Sequence, residues 1–215
     1  IYQCDWSSDV CSSDLMNYIG PGTKLQDGDI EIVAKEIGVE EAALRAVLAV
    51  ETGGSGFDHY NRPKALFERH VFYKLLKDDL DKQVIAVDQK LAYPRWGELP
   101  YPKTSDGVYD EIDRASAIDL ERTLLSTSWG LGQIMGSNFR LAGCSTVEEM
   151  VEQAVQSELN QLRQMVSFLK TSGILSRLAD KDWANFARLY NGPSYQTNQY
   201  DKKLETAYNK FTDEA

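Results

Sequence analysis

The chain places an acid where acids are costly. Leu44, Val47, Leu48 and Glu51 are spaced i, i+3, i+4 and i+7, one stripe of an α-helix whose apolar members face a core. Thr52-Gly53-Gly54-Ser55-Gly56 then stops the helix, because consecutive glycines favour a turn or a left-handed cap. The Glu51 carboxyl therefore sits partly buried at a helix C-terminus, where the dipole and desolvation both favour the protonated form. A carboxylic acid that keeps its proton near neutral pH is a general acid. An exposed glutamate in a last helical turn is the plain alternative. Glu68, seventeen positions on, is the second candidate acid, with Arg62 and Arg69 near enough in sequence to hold it as an ordinary ion pair.

Other chemistry is thinner. The two histidines, His59 and His70, stand in no HExxH or Cys/His arrangement, so neither a metal site nor a cofactor is expected. His70 lies in an apolar run and reads as a hydrogen-bonded core residue. Asp78–Asp110 is irregular and carries Tyr93, Trp96, Tyr101 and Tyr109 among three prolines. Aromatic rings on such a loop suit either a carbohydrate cleft, where they stack on sugar faces, or a core beneath the loop. Ser126–Phe139, STSWGLGQIMGSNF, interleaves glycines with Trp129, Leu131, Ile134 and Met135. Its small residues admit a close neighbour or ligand, and Gln133 offers an amide.

The elements that must position these groups are helical. Asp29–Ile37 and Glu40–Glu51 are expected first, then Asn61–Lys77 with Pro63 in its first turn. Asp110–Leu125, Val147–Val155, Ser157–Lys170, Trp183–Tyr190 and Tyr200–Phe211 follow. Trp183, Phe186, Ala187 and Tyr190 repeat the i, i+3, i+4, i+7 stripe, so Tyr190, like Glu51, is a polar-tipped residue at the end of an inward face. Asn191-Gly192-Pro193 then stops that helix. The fold expected is mainly α with one irregular, aromatic-rich loop region.

Composition bounds the rest. Ile1–Leu15 has no helical period, no apolar run and no Lys or Arg, which excludes a secretory signal within it. Its SSDV and SSDL repeats flank Cys11, and Cys-Ser-Ser-Asp-Leu back-translates to TGC TCT TCC GAT CT, resembling the end of a sequencing adapter read in frame. We expect 1–15 to be an assembly artefact without ordered structure, with translation beginning at Met16 and residues 16–215 forming a single domain. Setting aside Asp5, Asp9 and Asp14 moves the formal net charge from −10 to −7, and setting aside Cys4 and Cys11 leaves the single thiol Cys144. A disulfide framework is then impossible. No apolar run is long enough to span a membrane. The acidic balance argues against nucleic acid and against an electrostatically bound membrane surface, so an anionic polymer would have to be held by a shaped groove. A monomer is expected.

Three segments in order carry a family resemblance: Glu51-Thr52-Gly53-Gly54-Ser55-Gly56-Phe57, the GLxQI stretch within Ser128–Met135, and the Tyr190-Asn191-Gly192 turn. Together they resemble the lysozyme-like superfamily of goose-type lysozymes and soluble lytic transglycosylases. LFERHVF at Leu66–Phe72, SWGLGQIMG and Asn185–Tyr200 are more closely similar to the N-acetylmuramidase domain of phage endolysins, and the likeness runs over nearly all of Gly28–Phe211.

The resemblance implies a cleft between helices that holds a peptidoglycan glycan strand and cuts the β-1,4 bond from N-acetylmuramic acid to N-acetylglucosamine. Glu51 matches the family's catalytic acid. Gln133, Tyr190 and Asn191 match cleft-lining segments, and Trp129, Tyr109 and Trp96 are the aromatic candidates for substrate contact. Glu68 matches an acid of the LFE-H segment; if two carboxyls act, about 5 Å between them gives retention and about 6.5–9.5 Å gives inversion. Two alternatives stand beside the muramidase: a lytic transglycosylase using the same Glu51 to give 1,6-anhydro products, and a non-catalytic glycan-binding or virion module. Some relatives carry a separate peptidoglycan-binding domain, which this chain does not show. The location expected is synthesis in a host cytoplasm and action in the periplasm after release.

Overall fold

The computed structural model describes residues 16–51, 54–193 and 195–213. The artefact expected at 1–15, and Thr52 and Gly53 of the expected helix stop, lie outside those residues. Helix α1 (Asp29–Ile37) buries Val33 and Ala34, and α2 (Glu41–Glu51) buries Ala43, Leu44, Ala46, Val47 and Leu48. The stripe that ends in Glu51 therefore faces a core, and Glu51 is left half-buried at the last residue of its helix.

Three expectations need correction. Asn61–Lys77 is not one helix: Ala65–Phe67 is strand β1, and only Arg69–Leu75 (α3) is helical. The backbone of β1 is claimed from far along the chain by β2 (Thr127–Trp129), with Ala65 opposite Trp129 and Phe67 opposite Thr127. Strand β3 (Ile134–Met135) completes an antiparallel sheet of order β1-β2-β3. The stretch Asp78–Asp110 is less irregular than expected, since it holds α4 (Leu80–Asp88), capped by the Asp79 side chain accepting from the Lys82 amide. Leu80, Val84 and Ile85 of α4 are exposed, so the helix has no inward apolar stripe to read. Finally, Asp110–Leu125 is divided into α5 (Ser105–Ser116) and α6 (Leu120–Leu125), because Thr104 caps the first and Asp119 the second.

The remaining helices are α7 (Val147–Gln156), α8 (Glu158–Thr171), α9 (Leu175–Ala179), α10 (Trp183–Tyr190) and α11 (Tyr200–Asp213). Buried apolar side chains form two clusters. One gathers Phe67, Phe72, Leu124, Trp129 and Met150 around the sheet and α3–α7. The other gathers Leu44, Val47, Leu162, Met165 and Phe186 between α2, α8 and α10, and α11 packs along α2. Each cluster supplies one wall of the functional cleft. The architecture is mainly helical with a small antiparallel sheet.

Candidate active site

A cleft of about 650 Å³ opens between the two clusters. Glu51, Tyr190, Asn191 and Tyr200 come to it from the helical side, and Leu66, Glu68, Ser128, Gln133 and Ile134 from the sheet side. Five of the sequence-derived site residues, Glu51, Glu68, Gln133, Tyr190 and Asn191, thus line one hollow although they span 140 positions.

Glu51 is poorly satisfied. Its Oε2 accepts from Asn191 Nδ2 at 2.9 Å, while its buried Oε1 has no partner among the described residues. Burial pushes its pKa above the usual carboxylate value; the Asn191 amide and the more distant Lys203 pull the other way without cancelling it. Asn191 can meet Glu51 because it is the C-cap of α10, its own amide donating to the Ala187 carbonyl at 2.8 Å. One residue back, the Tyr190 ring stacks on Phe186 at 5.5 Å and meets Phe168 edge-on, so its position is set by the core. Its hydroxyl donates to Gly132 O at 2.8 Å. Burial and then the Glu51 charge push that hydroxyl's pKa up, and it stays a donor.

On the sheet side, Glu68 caps α3 directly after β1. One of its oxygens accepts from the Tyr101 hydroxyl at 2.5 Å and lies 3.2 Å from His70 Nδ1. The arginines that might have occupied it are engaged elsewhere: Arg62 pairs with Asp58 and Asp106, and Arg69 with Glu111. Glu68 is therefore not a surface ion pair with either arginine.

Gln133 sits in the turn between β2 and β3 in a left-handed conformation, φ 45°. Its amide is spent on the protein. Nε2 donates to Gly130 O (2.9 Å) and Lys64 O (3.1 Å), and Oε1 accepts from Ser128 Oγ (3.2 Å). The side chain holds the turn's shape and joins it to the residue before β1. The three aromatic candidates do not line the cleft. Trp129, 2% exposed, stacks on Tyr18 and donates to Leu124 O; Tyr109, 3% exposed, donates to Pro63 O. Trp96 is 70% exposed and borders a shallow hollow with Arg69, His70 and Tyr101.

Sequence reasoning missed the supports of the loop after Glu51. Glu158, at the start of α8, is buried and accepts from Gly56 N (2.8 Å), Leu25 N (3.0 Å), Ser55 Oγ (3.1 Å) and Lys24 Nζ (3.2 Å). Burial pushes its pKa up, but these donors outweigh that and hold it below the usual value. One turn on, Gln161 accepts from Leu131 N at 2.8 Å and donates to Ala154 O at 2.7 Å. A Cβ at Gly56 would come within 1.9 Å of Gln161 Oε1, so glycine there lets the loop lie against α8. Gly130 meets the same side chain from the other turn at φ 67°. Glu158 and Gln161 thereby fix both the loop beyond the acid and the turn bearing Gln133.

A half-buried acid of raised pKa thus stands in a cleft between helices and a small sheet, in a fold of the lysozyme-like kind. The sequence model of the N-acetylmuramidase family matches residues 40–212, and the chain belongs to that family. It is a glycoside hydrolase that degrades peptidoglycan. Among solved structures, the crystal structure of a Burkholderia AP3 phage endolysin is similar, with a TM-score of 0.80 and 35% identity over 90% of this chain and 73% of that one. No curated protein matches the chain.

Proposed function

We propose that Glu51 is the general acid that cleaves the β-1,4 bond between N-acetylmuramic acid and N-acetylglucosamine, as the catalytic domain of an endolysin. The observation that carries this reading is the state of its carboxyl, in a side chain that lines an open cleft: one oxygen is held by Asn191, and the other is buried without a partner among the described residues. Its raised pKa favours the protonated form, which can give its proton to a glycosidic oxygen as the sugar develops oxocarbenium character. Asn191 orients the acid and Tyr190 anchors the helix end that presents Asn191. Glu68, on the opposite wall, is the second carboxylate; Tyr101 and His70 fix its aim, and it activates the water or stabilises the developing charge. On this reading the protein acts as a monomer, is made in a host cytoplasm and reaches the wall after release. Fragments released from purified peptidoglycan test the reaction by mass spectrometry. Reducing-end muramic acid is expected; 1,6-anhydro-muramic ends would instead mark a lytic transglycosylase, and no release would mark a binding module.

A further inference from the structure

A cleft holds a sugar with the polar groups it has not already spent on itself, and here few are left. Apart from the two carboxyls, most of the polar side chains in the cleft are occupied. Ser128 Oγ donates to Gln133, the Gln133 amide donates to backbone carbonyls, the Tyr190 hydroxyl donates to Gly132 O, and Asn191 holds Glu51. Asn138 and Tyr200 also line the cleft. Neither the carboxamide of the one nor the hydroxyl of the other has a hydrogen-bond partner among the described residues. Both residues are half-buried, and these polar atoms reach solvent. Their backbones are fixed. Asn138 ends a 3-10 turn, Gly136–Asn138, directly after β3, and its carbonyl accepts from Ala142 N at 2.9 Å. A Cβ at Gly136 would collide with Leu124 O, so the turn lies close against the end of α6. Tyr200 opens α11; its ring packs against the second apolar cluster, with the Lys203 ammonium 5.4 Å from its centre. Asn138 thus belongs to the sheet wall and Tyr200 to the helical wall that carries Glu51.

Each sugar of the strand carries a 2-acetamido group, a planar amide with an N–H donor and a carbonyl acceptor. A carboxamide is its complement, because it accepts from that N–H and donates to that carbonyl at once. We propose that Asn138 reads the 2-acetamido group of a sugar in the cleft, while Tyr200 carries a sugar on the other wall. The Tyr200 ring rests on an apolar sugar face and its hydroxyl meets a sugar hydroxyl. A site built to hydrogen-bond a substituent discriminates against a substrate that lacks it, since its own polar atoms are then left unpaired. The cleft is therefore selective for N-acetylated strands. The proposal rests on the muramidase reading and deepens it.

The test measures kcat/KM on soluble glycan strands and on the same strands after enzymatic de-N-acetylation, which leaves an ammonium at C2. The wild type is expected to prefer the N-acetylated strands. Asn138→Ala is expected to lower the ratio of the two values about tenfold, the scale of one or two hydrogen bonds lost. Asn138→Asp keeps the shape and sets a carboxylate beside the C2 ammonium, so it should lower the ratio further. Tyr200→Ala should lower kcat/KM on both strands about tenfold, and Tyr200→Phe, which keeps the ring, by less. An active wild type that treats both strands alike, a ratio unmoved by both Asn138 variants, or a Tyr200→Ala variant as active as wild type would overturn this proposal alone. A wild type that cuts neither strand would overturn the muramidase reading and this proposal with it.

Discussion

On the helical wall of the cleft, Glu51 keeps one oxygen on an amide, the other has no partner among the described residues, and its pKa is raised. Behind the same loop, a few residues on, Glu158 has four donors converging on it and its pKa is lowered. Glu51 is half-buried and Glu158 buried, both close to one turn of chain, so burial alone does not explain the opposite directions of their shifts. The number of donors does: a carboxylate surrounded by N–H groups is stabilised as an anion, and one deprived of them is stabilised as an acid. The protein withholds partners from Glu51, as the proposed acid requires, and supplies them to Glu158, which ties down the loop. Glu68, with a tyrosine and a histidine on one oxygen, stands between the two.

Removing the proton from this scheme has the largest effect. Glu51→Gln keeps the shape and the Asn191 contact but cannot donate a proton to a leaving oxygen. Turnover of purified peptidoglycan is expected to fall by about 10³-fold or more, in line with loss of a general acid. The fold should not suffer. Because the Glu51 pKa is raised in the folded state, its ionisation opposes folding increasingly as pH rises through that value, and the neutral amide escapes this. Thermal melting at neutral pH should therefore leave Glu51→Gln at least as stable as wild type. A substantial drop in melting temperature together with lost activity would mean the acid is structural.

Glu158→Ala inverts that result. It strands the Gly56 and Leu25 amides and Lys24, and should cost about 3 kcal/mol, on the order of 10 °C in melting temperature for a chain of this size. The Glu158 pKa is lowered by folding, so its contribution is present above the unfolded value and is lost as pH falls through the folded one. The variant should thus lose most at neutral pH and least in acid, and a pH-independent loss would show that the hydrogen bonds to the anion are not the cause. Glu68→Gln is expected to have a smaller effect on turnover, about 10- to 100-fold, because the first acid still protonates the leaving group. A loss as large as that of Glu51→Gln would make the two acids equal partners.

What the sequence revealed of this contrast follows from how local each signal is. The helices with an unbroken inward stripe, α1 and α10, have the expected bounds; α2 and α7 differ by a residue at one end and α8 by a residue at each end. Strand β1 gave no such signal, since its three residues are shaped by a partner strand some sixty positions away. Glu51 was legible because an acid ends an apolar stripe; its contact with Asn191, 140 residues downstream, was reachable only through family likeness. Trp129 and Tyr109 show the limit of reading aromatics by composition, because the same rings that suit a sugar also fill a core. Glu158, Gln161 and Gln164 did carry a signal. They stand at i, i+3 and i+6 and are buried with Leu162 and Met165. Three polar residues at helical spacing, buried beside an apolar stripe, mark buried hydrogen bonding, and the leucine stripe alone conceals it.

The smallest effect tests the link between partners and pKa most directly. Asn191 is the nearest group that favours the Glu51 anion, and its hydrogen bond partly offsets desolvation. Asn191→Ala removes that donor, so the Glu51 pKa should rise further above its usual value. A general acid must be protonated in the free enzyme, and the alkaline limb of kcat/KM against pH reports its pKa. That limb should move to higher pH in the variant, while activity at the acidic end falls only by what is lost in orienting the carboxyl. A shift to lower pH would mean that Asn191 had been stabilising the protonated acid instead. An unmoved limb would mean that the limb belongs to another group, and Glu68→Gln, measured the same way, would identify it.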